Sequence, residues 1–192
     1  MRELDITPWV EGLAAGDQEA FRRVYEATVQ DVYRTATFLL GNPRDVEDVM
    51  NEVYMKLWTS IAGYDSNRPF RHWLHGIVVR QVQDWRRKTW RRFRLFERKA
   101  MLEVERVQMA PDTSIVLHET SREMLEAIQG LSYKLRVVVI LRYYHDYSLN
   151  EIAGILDIPL GTVKSRHHLA LKALREHAVL LMDDKEEPYY VH

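Results

Sequence analysis

Acidic side chains crowd one short stretch, Asp45, Glu47, Asp48 and Glu52, and histidines fall in two close pairs, His72 with His75 and His167 with His168. Carboxylates at that density could hold a magnesium ion, and paired imidazoles could ligate a transition metal. Spacing argues against both. On a helix Asp45 and Asp48 share a face while Glu47 points elsewhere, no glycine loop that could cradle a phosphate accompanies them, and neither histidine pair has a third ligand at helical spacing. Cysteine is absent, which removes thiol nucleophiles, thiolate metal sites and disulfide scaffolds together. These residues point away from an enzyme, from a bound metal or other cofactor, and from a small-molecule substrate.

The basic residues suggest a different chemistry. The formal net charge is only -1, but the charges are kept apart along the chain. Between Arg80 and Lys99 stand nine Lys or Arg against Asp84 and Glu97, interleaved with Trp85 and Trp90. A basic block with aromatics is the pattern expected of a nucleic-acid contact, the plainer alternative being a solvated helix face. Acid gathers around Asp45 to Glu52 and again at Asp183, Asp184, Glu186 and Glu187. Separated charge implies separate faces for separate partners.

The elements that must position these groups read as helices. Phe21, Val24, Tyr25, Val32, Tyr33, Ala36, Leu39 and Leu40 recur at spacings of three and four after Asp17, a suitable N-cap. Gly41-Asn42-Pro43 breaks that helix and starts another, in which Val46, Val49, Met50, Val53, Tyr54, Leu57, Trp58 and Ile61 form the apolar face. Gly63 to Pro69 has a loop composition, and Phe70 to about Lys99 suits one long helix, apolar first and basic later. Periodicity fades from Met101 to Ser114. Beyond it, Met124, Leu125, Ile128 and Leu131 mark one helix and Leu135 to Tyr144 a second. The β-branched run Val137–Leu141 would suit a strand, but no other strand exists to satisfy its backbone, so helix is expected. With 192 residues, 46% of them apolar, the chain suits one domain or two small ones. No apolar run approaches the roughly 20 residues that span a bilayer, and the N-terminus lacks the apolar stretch of a signal peptide. A cytoplasmic protein with no membrane insertion is expected.

Ser148-Leu149-Asn150-Glu151 is a capping box, in which serine and glutamate each satisfy the other's backbone amide. Ile152, Ala153 and Leu156 would form the inner face of the helix it starts. Asp157-Ile158 turns the chain and Pro159 opens a longer basic helix. This arrangement is a helix-turn-helix, whose second helix enters the major groove. Val163, Ala170 and Leu174 would face inward, leaving Gly161, Thr162, Lys164, Ser165, Arg166, His168 and Lys172 for DNA.

Three stretches in register resemble a bacterial sigma factor of the extracytoplasmic-function (ECF) class in the sigma-70 family. Asp45 to Trp58 is similar to the polymerase-binding helix. Phe70-Arg-His-Trp-Leu74 with Asp84-Trp-Arg-Arg87 is similar to the promoter-melting segment, and Tyr147 to Ala153 with Gly161 to Arg166 to the minus-35-reading helix-turn-helix. The resemblance covers most of residues 17–176. It implies an all-α fold of two small helical domains joined by a flexible linker: sigma region 2 over residues 1–100, a linker over 101–118 that in the family threads the polymerase active-site channel, region 4 over 119–182, and an acidic tail over 183–192 expected to be disordered.

Further expectations follow from the resemblance. Asp45, Asp48, Asn51, Glu52 and Met55 would bind the β′ clamp helices of core RNA polymerase, and region 4 would meet the β flap. Ser66, Asn67, Arg68, Phe70 and Trp73 would capture a flipped minus-10 base. Arg80, Asp84, Arg86, Arg87 and Lys88 would follow the melted strand, with Arg91, Arg92 and Arg94 extending the field. For Trp73 and Trp85, ordinary core packing is the competing role. An anti-sigma factor, membrane-anchored for many family members, would be a further partner. This chain departs from the pattern at Asn51, where glutamine is more common, at Arg80, where asparagine is usual, and at Leu169, where arginine is common. A helix-turn-helix regulator acting without polymerase would explain residues 148–174, but it leaves the acidic helix and the basic-aromatic block without a role.

Overall fold

Every element of secondary structure among the described residues, 7–99 and 119–183 of this computed structural model, is helical. The expected linker, residues 101–118, and the tail beyond Asp183 lie outside the described residues. The chain divides into two units, Met1–Ser114 and Ile115–His192.

Caps set the helices of the first unit. Asp17 accepts a hydrogen bond from the Glu19 amide at 2.8 Å and starts α2 (Gln18–Leu40), which ends at Gly41 with a left-handed φ of 76°. Asn42 then accepts from the Arg44 amide at 3.1 Å, with Pro43 in the first position of a short 3-10 turn that leads into α3 (Val46–Ser60). The expected restart is present, with this turn interposed. The long helix is α4 (Phe70–Lys99). A short helix that the sequence reading did not anticipate, α1 (Thr7–Ala14), packs on α2. Gly12 permits the approach, since a Cβ there would lie 3.0 Å from that of Ala20.

Helices α2, α3 and α4 pack on one another around Val24, Val32, Ala36, Leu39, Val49, Val53, Leu57, Leu74, Val78 and Val82, all buried. Burying each valine or leucine contributes about 1.5–3 kcal/mol. The buried threonines of this core are satisfied. Thr28 Oγ1 donates to the Val24 carbonyl at 2.7 Å and lies 2.9 Å from the Tyr54 hydroxyl; Thr35 Oγ1 donates to the Asp31 carbonyl at 2.7 Å.

The second unit contains α5 (Glu119–Gly130), α6 (Tyr133–Val139), α7 (Leu149–Leu156) and α8 (Leu160–Asp183). Val137 to Leu141 are all buried. Five successive residues cover every side of a helix, so the end of α6 and the turn that follows it are enclosed all round and show no amphipathic period, while Lys134 in the first turn of α6 is exposed. The run is helical, as expected, but its end differs: Ile140–Tyr144 winds as a π-helical turn, with the His145 amide donating to the Ile140 carbonyl at 3.2 Å. Arg136 is buried as well, and its guanidinium donates to the carbonyls of Gln129 and Leu131, joining α5 to α6.

Candidate nucleic-acid and protein interfaces

On α3, burial of Val46, Val49, Met50, Val53, Tyr54 and Leu57 dictates what the opposite side presents. Asp48, Asn51, Glu52 and Met55 fall at i, i+3, i+4 and i+7, a single stripe. Glu52 is half-buried, the other three are exposed, and Met55 is 66% exposed. Asp45, at the start of α3, is half-buried and accepts from the Asn42 amide group at 3.3 Å. The acidic stripe forms as the sequence suggested. Its Glu52 carboxylate also reaches α4, 3.7 Å from Lys88 Nζ.

The loop before α4 is built around Asp65, an organiser that the sequence reading missed although Asp-x-Asn is a common turn signal. Its carboxylate accepts from the Asn67 backbone amide at 3.0 Å and side-chain amide at 2.9 Å, and both bonds hold its pKa below the ordinary value. The Tyr64 hydroxyl donates to the Arg68 carbonyl, and its ring packs against Phe70 and Trp73 at 5.6 and 5.1 Å between centroids. Ser66, Asn67 and Arg68 are thereby held in water at the loop tip. Phe70 is buried and supports the loop from below, whereas Trp73 is half-buried.

Past Val82, the last buried residue of α4 among the described side chains, the helix leaves the core. Arg80, Asp84, Arg87, Lys88 and Arg91 are exposed along one face, and Arg86, Arg92 and Arg94 are exposed as well. Arg87 lies 3.9 Å from Asp84, and the Arg94 guanidinium sits 4.2 Å from the centre of the exposed Trp90 ring. An open cleft of about 510 Å³ runs between Leu40, Asp45, Trp85, Arg86, Arg87, Thr89 and Trp90. Trp85 is half-buried, and its indole N–H has no hydrogen-bond partner among the described residues.

In the second unit both bonds of the capping box form: Glu151 N to Ser148 Oγ at 3.2 Å and Ser148 N to Glu151 Oε2 at 2.7 Å. The buried face of α7 is Ile152 and Ile155, which corrects the expected set; Ala153 and Leu156 are only half-buried. Val163 and Ala170 are fully buried and fasten α8, with Leu174 partly covered beside them. Gly161, Lys164, Ser165, His168 and Lys172 face water, while Thr162 and Arg166 are half-buried. Ser165 Oγ donates to the Thr162 carbonyl at 3.0 Å, and Lys172 lies 3.9 Å from Glu176.

In each histidine pair one ring is held by a protein partner. His75 is fully buried with Nε2 3.0 Å from Asp31 Oδ2, the same oxygen that Arg71 approaches at 3.1 Å. His167 Nε2 lies 3.0 Å from the Tyr143 hydroxyl, and their rings stack. Burial lowers the His167 pKa, with smaller contributions from Arg142 and His168.

Two family models match this chain: Sigma-70 region 2 over residues 24–92 and Sigma-70, region 4 over residues 121–174. The chain is 31% identical over 181 residues to the ECF RNA polymerase sigma factor SigW of Bacillus subtilis (strain 168), covering 91% of this chain and 97% of that one. It is 30% identical over 171 residues to SigX of the same organism, covering 87% and 88%. Among solved structures, the sigma factor RpoE of Bartonella quintana, in complex with the anti-sigma factor NepR, superposes with a TM-score of 0.65 at 22% identity, covering 82% of this chain and 96% of that one. Its fold is thus shared. An acidic stripe, a basic-aromatic helix and a capped helix-turn-helix fall within the two matched regions, and the chain belongs to the sigma-70 family, in its ECF class.

Proposed function

We propose that this protein is the promoter-specificity subunit of a bacterial RNA polymerase, gripping the core enzyme and promoter DNA at once. The observation that carries this reading is the exposure of three chemically distinct surfaces: the side of α3 opposite its buried face, the loop before α4 with the exposed stretch of α4, and the side of α8 opposite Val163 and Ala170. The stripe Asp45, Asp48, Asn51, Glu52 and Met55 suits arginine-bearing β′ clamp helices, because carboxylates and amides accept charge-assisted hydrogen bonds from guanidinium groups. Ser66, Asn67, Arg68 and Trp73 offer polar groups and a ring to a base turned out of the minus-10 duplex, with Phe70 holding the loop from inside. Arg80, Asp84, Arg86, Arg87 and Lys88 accompany the opened strand, arginine and lysine meeting phosphate. The exposed side of α8 from Lys164 to Lys172 enters the major groove of the minus-35 element with Lys164, Ser165, Arg166, His168 and Lys172, while the amides near Gly161 and Thr162 meet a phosphate.

In this reading residues 1–100 act as region 2, 101–118 as the linker, 119–182 as region 4, and 183–192 as an acidic tail. The protein acts in the cytoplasm, performs no chemistry of its own and is restrained by an anti-sigma factor. That no described helix is long and apolar enough to cross a membrane agrees with this placement. The test is run-off transcription by sigma-free core polymerase with and without the purified chain, on promoters recovered by mapping start sites after overexpression. Specific transcripts are expected only with the chain. A chain that merely represses initiation would establish the regulator reading instead.

A further inference from the structure

Leu169 is the one exposed leucine among the described side chains of α8, at 53% exposure, while Leu160, Leu171 and Leu174 are at least half covered. It takes no part in the cluster formed by Leu131, Val139 and Ala170. One turn to either side on the same surface stand Ser165 and Lys172, and His168 is exposed beside it. A protein-docking patch would need apolar neighbours. This leucine is instead a single apolar point in a hydrogen-bonding, cationic field. That is the combination the major groove presents in reverse, where the thymine methyl is the apolar feature among base-edge donors and acceptors and phosphates.

We infer that Leu169 packs against the 5-methyl group of a thymine in the minus-35 element and makes this chain select an A·T pair at that step. The inference rests on the proposed promoter-reading function. Ser165 does not make this choice: its hydroxyl donates to the Thr162 carbonyl, and as an acceptor it would serve the amino group of adenine or cytosine alike, so the methyl contact decides the pair.

The test uses the full chain with core polymerase and a promoter library randomised across the minus-35 element. One strongly enriched thymine is expected, and replacing it with uracil, which lacks only the methyl, should weaken binding about fourfold, the effect of one buried methyl-sized group. Leu169→Ala should abolish the difference between thymine and uracil, and Leu169→Arg should move the preference toward guanine. Far-UV circular dichroism and thermal melts of both variants establish that α8 is intact. Equal binding of thymine and uracil at every enriched thymine overturns the inference while leaving promoter reading in place. So does a Leu169→Ala chain that keeps the same sensitivity, or one that loses polymerase binding with its base preference unchanged. Absence of any enriched sequence overturns the promoter-reading function and this inference with it.

Discussion

Asp146 and Asp157 stand at φ of 59° and 53°, a left-handed backbone that L-residues other than Asn and Asp seldom adopt, one on each side of α7. Asp157 ends α7, with its amide bonded to the Ala153 carbonyl. Glycine there relieves the Cβ contact, so Asp157→Gly is expected to stabilise the second unit by about 0.5–1 kcal/mol, seen as a rise of a few degrees in melting temperature, whereas Asp157→Val should lower it. The lowered His167 pKa carries a pH consequence. The unfolded chain binds this proton at higher pH than the folded one, so the stabilisation linked to neutral His167 is full above the unfolded value near 6.5 and is lost as pH falls toward the folded value. Melting curves at pH 7.5 and 5.5 should show a larger loss for the wild type than for His167→Gln.

At the scale of elements, the loop before α4 and the stripe on α3 can be disabled separately. Asp65→Ala removes both acceptor bonds to Asn67 and should reduce promoter opening, read by permanganate reactivity of thymines, while polymerase binding is unchanged. Alanine at Asp48 and Glu52 together should do the reverse, weakening capture by core polymerase and sparing minus-35 binding; loss of both activities would refute the division of labour. The helices themselves were legible in sequence because their ends carry local chemistry: Asp17, Asn42 and the Ser148–Glu151 box each satisfy amides one turn away. What escaped the reading depends on partners outside the same helix. Arg136 is buried because two carbonyls at the end of α5 await it, and His75 because Asp31, 44 residues earlier, lies opposite. The π turn at Ile140–Tyr144 and the burial of Phe70 against Tyr64 likewise follow from packing that no spacing rule encodes. Within the candidate sites, charge and exposure were readable from the pattern, but the division of Phe70 and Trp73 into support and surface was not.

For the whole molecule, each unit has its own buried core, so fragments 7–99 and 119–183 should each melt cooperatively, the shorter one at lower temperature because it encloses less apolar surface. DNA affinity should fall steeply with salt, since the proposed contacts are mainly to phosphate, and Lys88→Ala should reduce the slope of log affinity against log salt by about one. The same variant should alter the melting free energy by less than about 1 kcal/mol, because an exposed ion pair contributes little. The Lys88–Glu52 bridge has one more effect. In the isolated subunit each of these side chains already holds a counter-ion within the molecule, so each partner must compete with it. A polymerase that draws Glu52 away releases Lys88 toward the promoter, and by thermodynamic reciprocity the promoter improves the hold on polymerase by the same modest factor. With Glu52 and Lys88 in the roles proposed above, two mutually strengthening attachments would meet at a single pair of side chains, and the free subunit would be slightly muted toward both until they are encountered together.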